Sequence, residues 1–408
     1  ESNNESCIQS EIIGGLKGIR MTLVARRSLG REPGRKAEIQ WETYRDWTEG
    51  QLSALLEEQC GRLVPADKEA ERAAAFRFSK IAKPLGSLGV LEEDIIKIAG
   101  MTGSAAVKLD KKALIIFCAD NGVVEEGVTQ TGQEVTAAVT SNFTKGESCA
   151  CLMAEKAGAD VYPVDIGVAC ELGETGTIHP LIDRKIRKGT DNFIKTTAMT
   201  RREAVLAVLA GIELAGELKN KGYQIIATGE MGIGNTTTSS AVASVLLGLD
   251  PAAVTGKGAG LSDSGLQQKI RTIKRGIELH KPDPSDGLDV LSKVGGFDLA
   301  GLAGVFLGGA IFRIPVVIDG FISAAAAAAA VAINETAGGY MLAAHVSAEP
   351  AGRKMLDFLG KKPAIEAGMC LGEGTGAVAL FPLLDMTLAV YERMSTFEDI
   401  EIDEYKPL

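Results

Sequence analysis

The sequence predicts an α/β fold, a parallel sheet covered by helices, joined to a smaller all-α part. Three observations predict it. Short apolar runs alternate with helix-length segments from about residue 106 onward. Residues 47–99 show helical spacing and no strand pattern. Glycine is abundant at 48 residues while aromatics stay at 5%, which suits alanine-rich helices on a glycine-turned sheet better than a β-sandwich. With 408 residues and 46% hydrophobic content, the chain can bury a large core.

Residues 1–45 show no clear period. Seven Lys/Arg fall between Leu16 and Lys36, among glycine breaks, and read as a solvated, partly disordered arm. A targeting peptide is the other reading, weakened by the acids at both ends. Apolar residues then recur at helical spacing from Trp47 to Cys60 and from Lys68 to Ile81, where Ala73, Ala74, Phe76, Phe78 and Ile81 suggest a packed face. The segment Lys83-Pro84-Leu85-Gly86-Ser87-Leu88-Gly89 breaks that pattern, and a further helix follows from Leu91 to Ala99.

The runs Ala113–Ala119, Val161–Val168, Tyr223–Ala227, Ile314–Ile318 and Tyr340–Val346 read as strands of a parallel sheet buried on both faces. Ligands of such sheets bind at the carboxyl ends of the strands. Those ends carry Asp120-Asn121-Gly122, Asp165 with Gly167, the Gly229 turn, Asp319-Gly320, and His345 to Pro350. Ile314–Ile333 is the most apolar stretch, yet it is mostly alanine and holds Asp319, so it reads as a buried crossover helix rather than a membrane span.

Two glycine-rich segments carry acids. Gly229-Glu230-Met231-Gly232-Ile233-Gly234-Asn235-Thr236-Thr237 lies between a strand and a helix read from Thr238. Glycines there allow close backbone approach to a ligand, and the free N–H groups of the helix start attract an anion such as phosphate. Phosphate has no use for Glu230, so a ribose hydroxyl or a developing positive charge is its expected partner. Leu371-Gly372-Glu373-Gly374-Thr375-Gly376 precedes a long apolar helix, Ala377–Met394. Its glycines can present Glu373 sharply, and apolar neighbours can raise its pKa into the range of a general base. A solvated turn glutamate is the plainer alternative.

The remaining signals are mostly exclusions. A net charge of −10 argues against nucleic acid as a partner. Seven cysteines without a C-x-x-C pair, and three histidines, make a metal site unexpected, and the thiols read as small core residues in a reducing cytoplasm. Thr255-Gly256-Lys257-Gly258 lacks the frame of a P-loop. The first strand lacks a dinucleotide fingerprint, which argues against a dehydrogenase.

Together the motifs resemble the nicotinate-nucleotide–dimethylbenzimidazole phosphoribosyltransferase family, which makes the lower-ligand nucleotide of cobamides. The likeness runs from about residue 48 to 398. It rests on Lys83–Gly89, Ala119–Val123, Gly132–Thr136, Gly229–Thr237, Asp319–Ile322, Ser347–Pro350 and Leu371–Gly376. It implies transfer of phosphoribose from nicotinate mononucleotide to an aromatic base with inversion at the anomeric carbon, and no cofactor. It implies Glu373 as the catalytic base, Glu230 as the partner of the ribosyl centre, and Gly232, Ile233, Gly234 and Asn235 at the nucleotide. It further implies Lys269 at the phosphate, Asp319 and Ser347 in the substrate pocket, and Gln133, Asp120 and Asn121 near the base. Spacing alone makes Lys269 a solvated residue of a polar helix, and leaves Asp319 as a cap for a helix starting near Ser323.

The implied fold is a Rossmann-like domain over residues 106–376 and a small helical domain joining 46–105 to 377–408. The implied partners are the nucleotide, the acceptor base and a second subunit, either identical or a homologous chain. Two features depart from the family: Asn121 stands where many relatives carry histidine, and residues 1–45 have no counterpart in shorter members. Some relatives use phenol or p-cresol as acceptor, and Glu373 suits that proton transfer equally. A non-catalytic partner subunit is a further alternative, against which the intact Glu373 and Gly229 turn argue.

Overall fold

Five buried runs and two short edge segments pair into one seven-stranded sheet in the computed structural model, which describes residues 40–405. The strands are β1 (Lys112–Ala119), β2 (Ala159–Gly167), β3 (Ile182–Asp183), β4 (Ile225–Met231), β5 (Val316–Ile318), β6 (Met341–His345) and β7 (Pro363–Ile365). Their order is β3-β2-β1-β4-β5-β6-β7, and every pairing is parallel. β3 and β7 have no counterpart in the sequence reading, because two or three residues at a sheet edge are too short to show a period. The chain works outward from β1 to β3, then returns to β1's other side and works outward to β7. The reversal between β1 and β4 opens a crevice at the carboxyl edge.

β4 runs further than Ala227. Gly229, Glu230 and Met231 stay in register with Ile116, Phe117 and Cys118 of β1. Glu230 is therefore a strand residue, not a turn residue: β1 continues alongside and keeps pairing the backbone. The helix after the turn starts at Asn235, three residues before the expected Thr238.

Helices cover both faces. Arg201–Asn220, Phe297–Phe312 and the alanine-rich Phe321–Ile333 pack on one face. Val90–Thr102, Cys149–Lys156 and Thr375–Arg393 pack on the other. The apolar stretch after Ile314 is split into β5 and a buried helix, so it is no continuous span. Among the described residues one helix, Thr375–Arg393, is long and apolar enough to cross a bilayer, but its Val378, Leu380, Phe381 and Leu384 are spent on the core.

The Lys68–Lys80 helix is capped by Asp67 and buries Ala70, Ala74 and Phe78, with Ile81 just beyond. Ala73 and Phe76 are exposed, contrary to the packed face read from the sequence, since a 3.6-residue turn carries them off the stripe through 70, 74 and 78. N- and C-terminal helices meet here. The Phe78 and Tyr391 rings lie 4.7 Å apart, Arg77 donates to the Tyr391 carbonyl, and the Tyr391 hydroxyl donates to the Ala105 carbonyl.

The arm reading fails at its carboxyl end. Trp41–Tyr44 is helical, with both aromatics buried. Glu213 accepts from the Trp41 amide (2.6 Å), the Tyr44 hydroxyl (3.0 Å) and Arg184 (3.2 Å). The rest of that reading, over residues 1–39, lies outside the described residues, as does Cys7. Of the described cysteines, all free, Cys118 and Cys151 are buried as expected, whereas Cys149 and Cys370 are exposed.

Candidate functional site

A cavity of about 260 Å³ opens at the carboxyl ends of β4, β5 and β6. Its walls include Glu230 to Ile233, Asn235 and Thr236 from the end of β4, Asp319 to Ile322 after β5, His345, Ser347 and Glu349 after β6, and Cys370 to Glu373. Both glutamates singled out in the sequence thus face one space. Their backbones also touch. A Cβ on Gly229 would lie 2.5 Å from the Glu373 carbonyl oxygen, so only glycine lets the Glu373 segment settle on β4.

Glu230 is 6% exposed. Its carboxylate accepts from the Asn235 side chain, whose amide also donates to Asp298 at 3.1 Å. Burial pushes the Glu230 pKa well above the ordinary carboxylate range, and Asp298, Asp319 and Glu373 push the same way. Burial likewise lifts Asp298 to about 6. This group of carboxylates is short of positive charge. A cationic ligand group entering the cavity would restore the balance and favour the ionised forms.

Glu373 has a different setting. It stands at φ +60° between Gly372 at +89° and Gly374 at +86°. A left-handed backbone costs a non-glycine residue roughly 1–2 kcal/mol. Such strain persists only where surrounding contacts over-determine it, and it is common at functional sites. Its Oε2 is buried without a hydrogen-bond partner. Burial raises its pKa and Asp319 adds to the rise, while the Ala150 amide, in the first turn of the Cys149–Lys156 helix, opposes it. A carboxylate with one unpaired oxygen and a raised pKa is suited to accepting a proton.

Lys269 does not line the cavity but lies directly behind Thr236, which does. Despite its polar helix it is 1% exposed. Its Nζ donates to Thr236 Oγ1 at 2.8 Å and to the Gly256 carbonyl at 3.3 Å, and burial lowers its pKa to about 8. Thr236 opens the Asn235–Leu247 helix, so a buried cation and a helix N-terminus meet at one point, a fitting place for phosphate. Gly258, from the segment rejected as a P-loop, lines the cavity beside Thr236.

Gly232 and Gly234 prove to serve the protein as well. A Cβ on Gly232 would lie 2.1 Å from the Ala119 carbonyl oxygen, and Gly234, at φ +94°, would bring one within 2.8 Å of Val124. The Ile233 amide already donates to Thr136 at 3.0 Å. Their absent side chains are therefore demanded by the turn's packing on β1, whatever else their amides do.

Besides Lys269 and Gly234, three more expected residues do not line this cavity. Asp120 accepts from the Ala169 amide at 2.8 Å, Asn121 donates to the Ile233 carbonyl, and Gln133 donates to the Asn121 carbonyl. Asn121, steadied by Gln133, braces the glycine turn from the β1 side, while Asp120 ties β1 to the segment after β2. Asp319 does not cap its own helix. Its carboxylate accepts from the Gly374 and Ala377 amides at the start of the Thr375–Arg393 helix. Ser347 Oγ accepts from the Glu349 amide at 3.3 Å.

Sequence reasoning passed over Asp298, Thr236 and Glu349 as site residues, and named His345 only as a strand end. His345 was findable, because it ends β6 at the carboxyl rim. Asp298 carried no signal, since it opens an apolar helix and reaches Glu230 only through Asn235. Among the described residues no group of three His, Cys, Asp or Glu side chains is arranged to hold a metal ion.

A family profile described as phosphoribosyltransferase matches residues 63–402. A nicotinate-nucleotide–dimethylbenzimidazole phosphoribosyltransferase of Ruminiclostridium cellulolyticum is 49% identical over 352 residues, spanning 86% of this chain and 99% of that protein. One from Clostridium acetobutylicum is 50% identical over 81% of this chain and 93% of that protein. The crystal structure of CobT from Thermus thermophilus superposes with a TM-score of 0.77 at 37% identity, covering 83% of this chain and all of that one. With its parallel sheet, its glycine turn and its two glutamates on one cavity, the chain belongs to the nicotinate-nucleotide–dimethylbenzimidazole phosphoribosyltransferase family.

Proposed function

We propose that this enzyme moves the phosphoribosyl group of nicotinate mononucleotide onto a lower-ligand base such as 5,6-dimethylbenzimidazole, giving the α-ribotide and nicotinate for cobamide synthesis. The observation that carries this reading is the pair Glu230 and Glu373 on one cavity, with a buried lysine bonded to Thr236 in its wall. The 5′-phosphate sits toward Lys269 and Thr236. The ribose lies against Glu230, and the incoming base approaches from the Glu373 side. Inversion requires attack on the face opposite the departing nicotinate, so both substrates are held at once.

The chemistry follows from the charges. One ring nitrogen of the base attacks the anomeric carbon as the bond to nicotinate breaks, and Glu373 Oε2 takes the proton from the other nitrogen. Nicotinate leaves with the electron pair of its glycosidic bond. Positive charge grows on the ribosyl centre, and the buried Glu230 faces it at low dielectric. Names of close relatives support the donor and the benzimidazole acceptor.

The active form is proposed to be a dimer, of identical or homologous chains, in which the partner helps enclose the acceptor. The purified chain, supplied with nicotinate mononucleotide and either dimethylbenzimidazole or phenol, is expected to release nicotinate with the benzimidazole. Turnover of phenol alone overturns the acceptor assignment. Activity only after a homologous chain is added overturns the identical dimer.

A further inference from the structure

Glu373 is held in an unfavourable backbone conformation, and its own segment supplies few restraints. Within the segment, the Thr375 amide and hydroxyl both donate to the Gly372 carbonyl, at 3.0 and 2.8 Å. The rest comes from outside. Asp319, 3% exposed, sends Oδ2 to the Gly374 amide at 3.2 Å and Oδ1 to the Ala377 amide at 2.9 Å. One carboxylate from the end of β5 thus ties down the residue after Glu373 and the first turn of the helix that follows. His345, 4% exposed at the end of β6, presses on the same turn. A Cβ on Gly376 would lie 1.8 Å from His345 Nδ1 and 2.9 Å from Asp319 Oδ1, so ring, carboxylate and helix start leave no room between them. His345 Nδ1 is buried and has no hydrogen-bond partner. Its ring occupies the place as a wedge beside the carboxylate rather than as part of a conventional hydrogen-bond pair.

We propose that Asp319 and His345 are positioning residues for Glu373: the carboxylate fastens the Gly374 and Ala377 amides, the imidazole braces Gly376, and together they hold the left-handed backbone from which Glu373 reaches the acceptor. This rests on Glu373 being the base. It moves Asp319 from substrate binding, the role implied by family resemblance, to the alignment of a catalytic group. The reason for using two strand ends is mechanical. A glycine-flanked segment is free to turn, and a rigid sheet edge is the nearest frame that can fix it. Burial raises the Asp319 pKa and His345 opposes that rise, which helps keep the carboxylate in the form that accepts two amides.

The test compares wild type, Asp319→Asn, Glu373→Gln and the double variant in the full-length protein. Asparagine keeps the shape of Asp319 but loses one of its two amide acceptors. Misplacing a catalytic group by about 1 Å can cost on the order of 10²-fold, so Asp319→Asn is expected to lower kcat by about that factor with KM for nicotinate mononucleotide held within about twofold. The double variant is expected to be no slower than Glu373→Gln, because alignment of an absent base has no value. Amide hydrogen exchange across residues 370–378 is expected to speed up in Asp319→Asn. Unchanged exchange there, a raised KM with kcat intact, or fully additive losses would each overturn the proposal.

If Glu373→Gln keeps wild-type turnover, the base reading falls instead, and the exchange measurement still judges the restraint. Should Asp319→Asn fail to fold, His345→Gln removes the wedge alone and is held to the same three criteria.

Discussion

The two glycine-rich acidic segments resemble each other in sequence and differ in physics. Both set a glutamate beside glycines at the mouth of a helix. Near the end of β4 the acid lies within the strand, on ordinary backbone, sharing Asn235 with Asp298. Its Gly232 is packed against β1 and its Gly229 against the Glu373 segment. Before the Thr375–Arg393 helix the acid itself is in the left-handed region, half-buried, with one oxygen unpaired. The first arrangement seats its acid among other carboxylates; the second leaves one carboxylate oxygen without a partner. The same residue types therefore acquire different settings according to whether a neighbouring strand is there to pair the backbone.

The sharpest way to break this contrast is to remove each charge without changing size. Glu373→Gln is expected to cost about 10²–10⁴-fold in kcat, with nucleotide affinity by calorimetry little changed; wild-type turnover would dismiss the proton acceptor. The sign of its pH dependence follows from the raised pKa. The base is ionised only above that pKa, so kcat should fall as pH drops through a value above the ordinary glutamate pKa of about 4.3. That limb should vanish in the glutamine variant.

Glu230→Gln removes a carboxyl whose charge is called up by the cationic centre facing it, rather than the proposed proton acceptor. It is expected to cost about 10²–10³-fold in kcat, and the acid limb belonging to Glu373 should survive in it. Loss of that limb would show that the two acids titrate as one unit.

Lys269→Met tests the buried cation behind Thr236, away from both acids. A charge-assisted hydrogen bond contributes about 1.5–3 kcal/mol, so KM for the nucleotide should rise by roughly 10–10²-fold with a smaller effect on kcat. Because the lysine is charged only below its pKa of about 8, nucleotide affinity in wild type should weaken as pH rises through that region. An affinity flat across it would remove Lys269 from the phosphate.

Gly229→Ala is the mildest change and acts on the contact between the two segments. Its new methyl group would meet the Glu373 carbonyl, and overpacking of this kind costs about 1–3 kcal/mol. A lower Tm with reduced kcat is expected. Wild-type stability would mean the two segments yield independently.

Much of the fold was readable because burial imposes period. The five apolar runs became β1, β2, β4, β5 and β6, and the helices read over 47–60, 68–81, 91–99, 238–247 and 377–394 fell near those positions. What lay beyond reach was set by partners distant in sequence. Glu230 belongs to a strand because β1 runs beside it. Lys269 is buried because the Thr236 turn and Gly256 fold over it, although its neighbours Gln267 and Gln268 read as surface. Asp298 joins the site through an amide 63 residues away, and no local pattern records such a link.

By itself, then, the sequence determined the layered α/β architecture, the carboxyl edge as the place for a ligand, and the identity of the two acids, since hydrophobic period and glycine punctuation act locally. Only the tertiary structure decided what each acid can do. A carboxylate's pKa, its unpaired oxygen and its backbone strain depend on which groups are packed within a few ångströms, and here those groups come from β1, β5, β6 and the helices they carry.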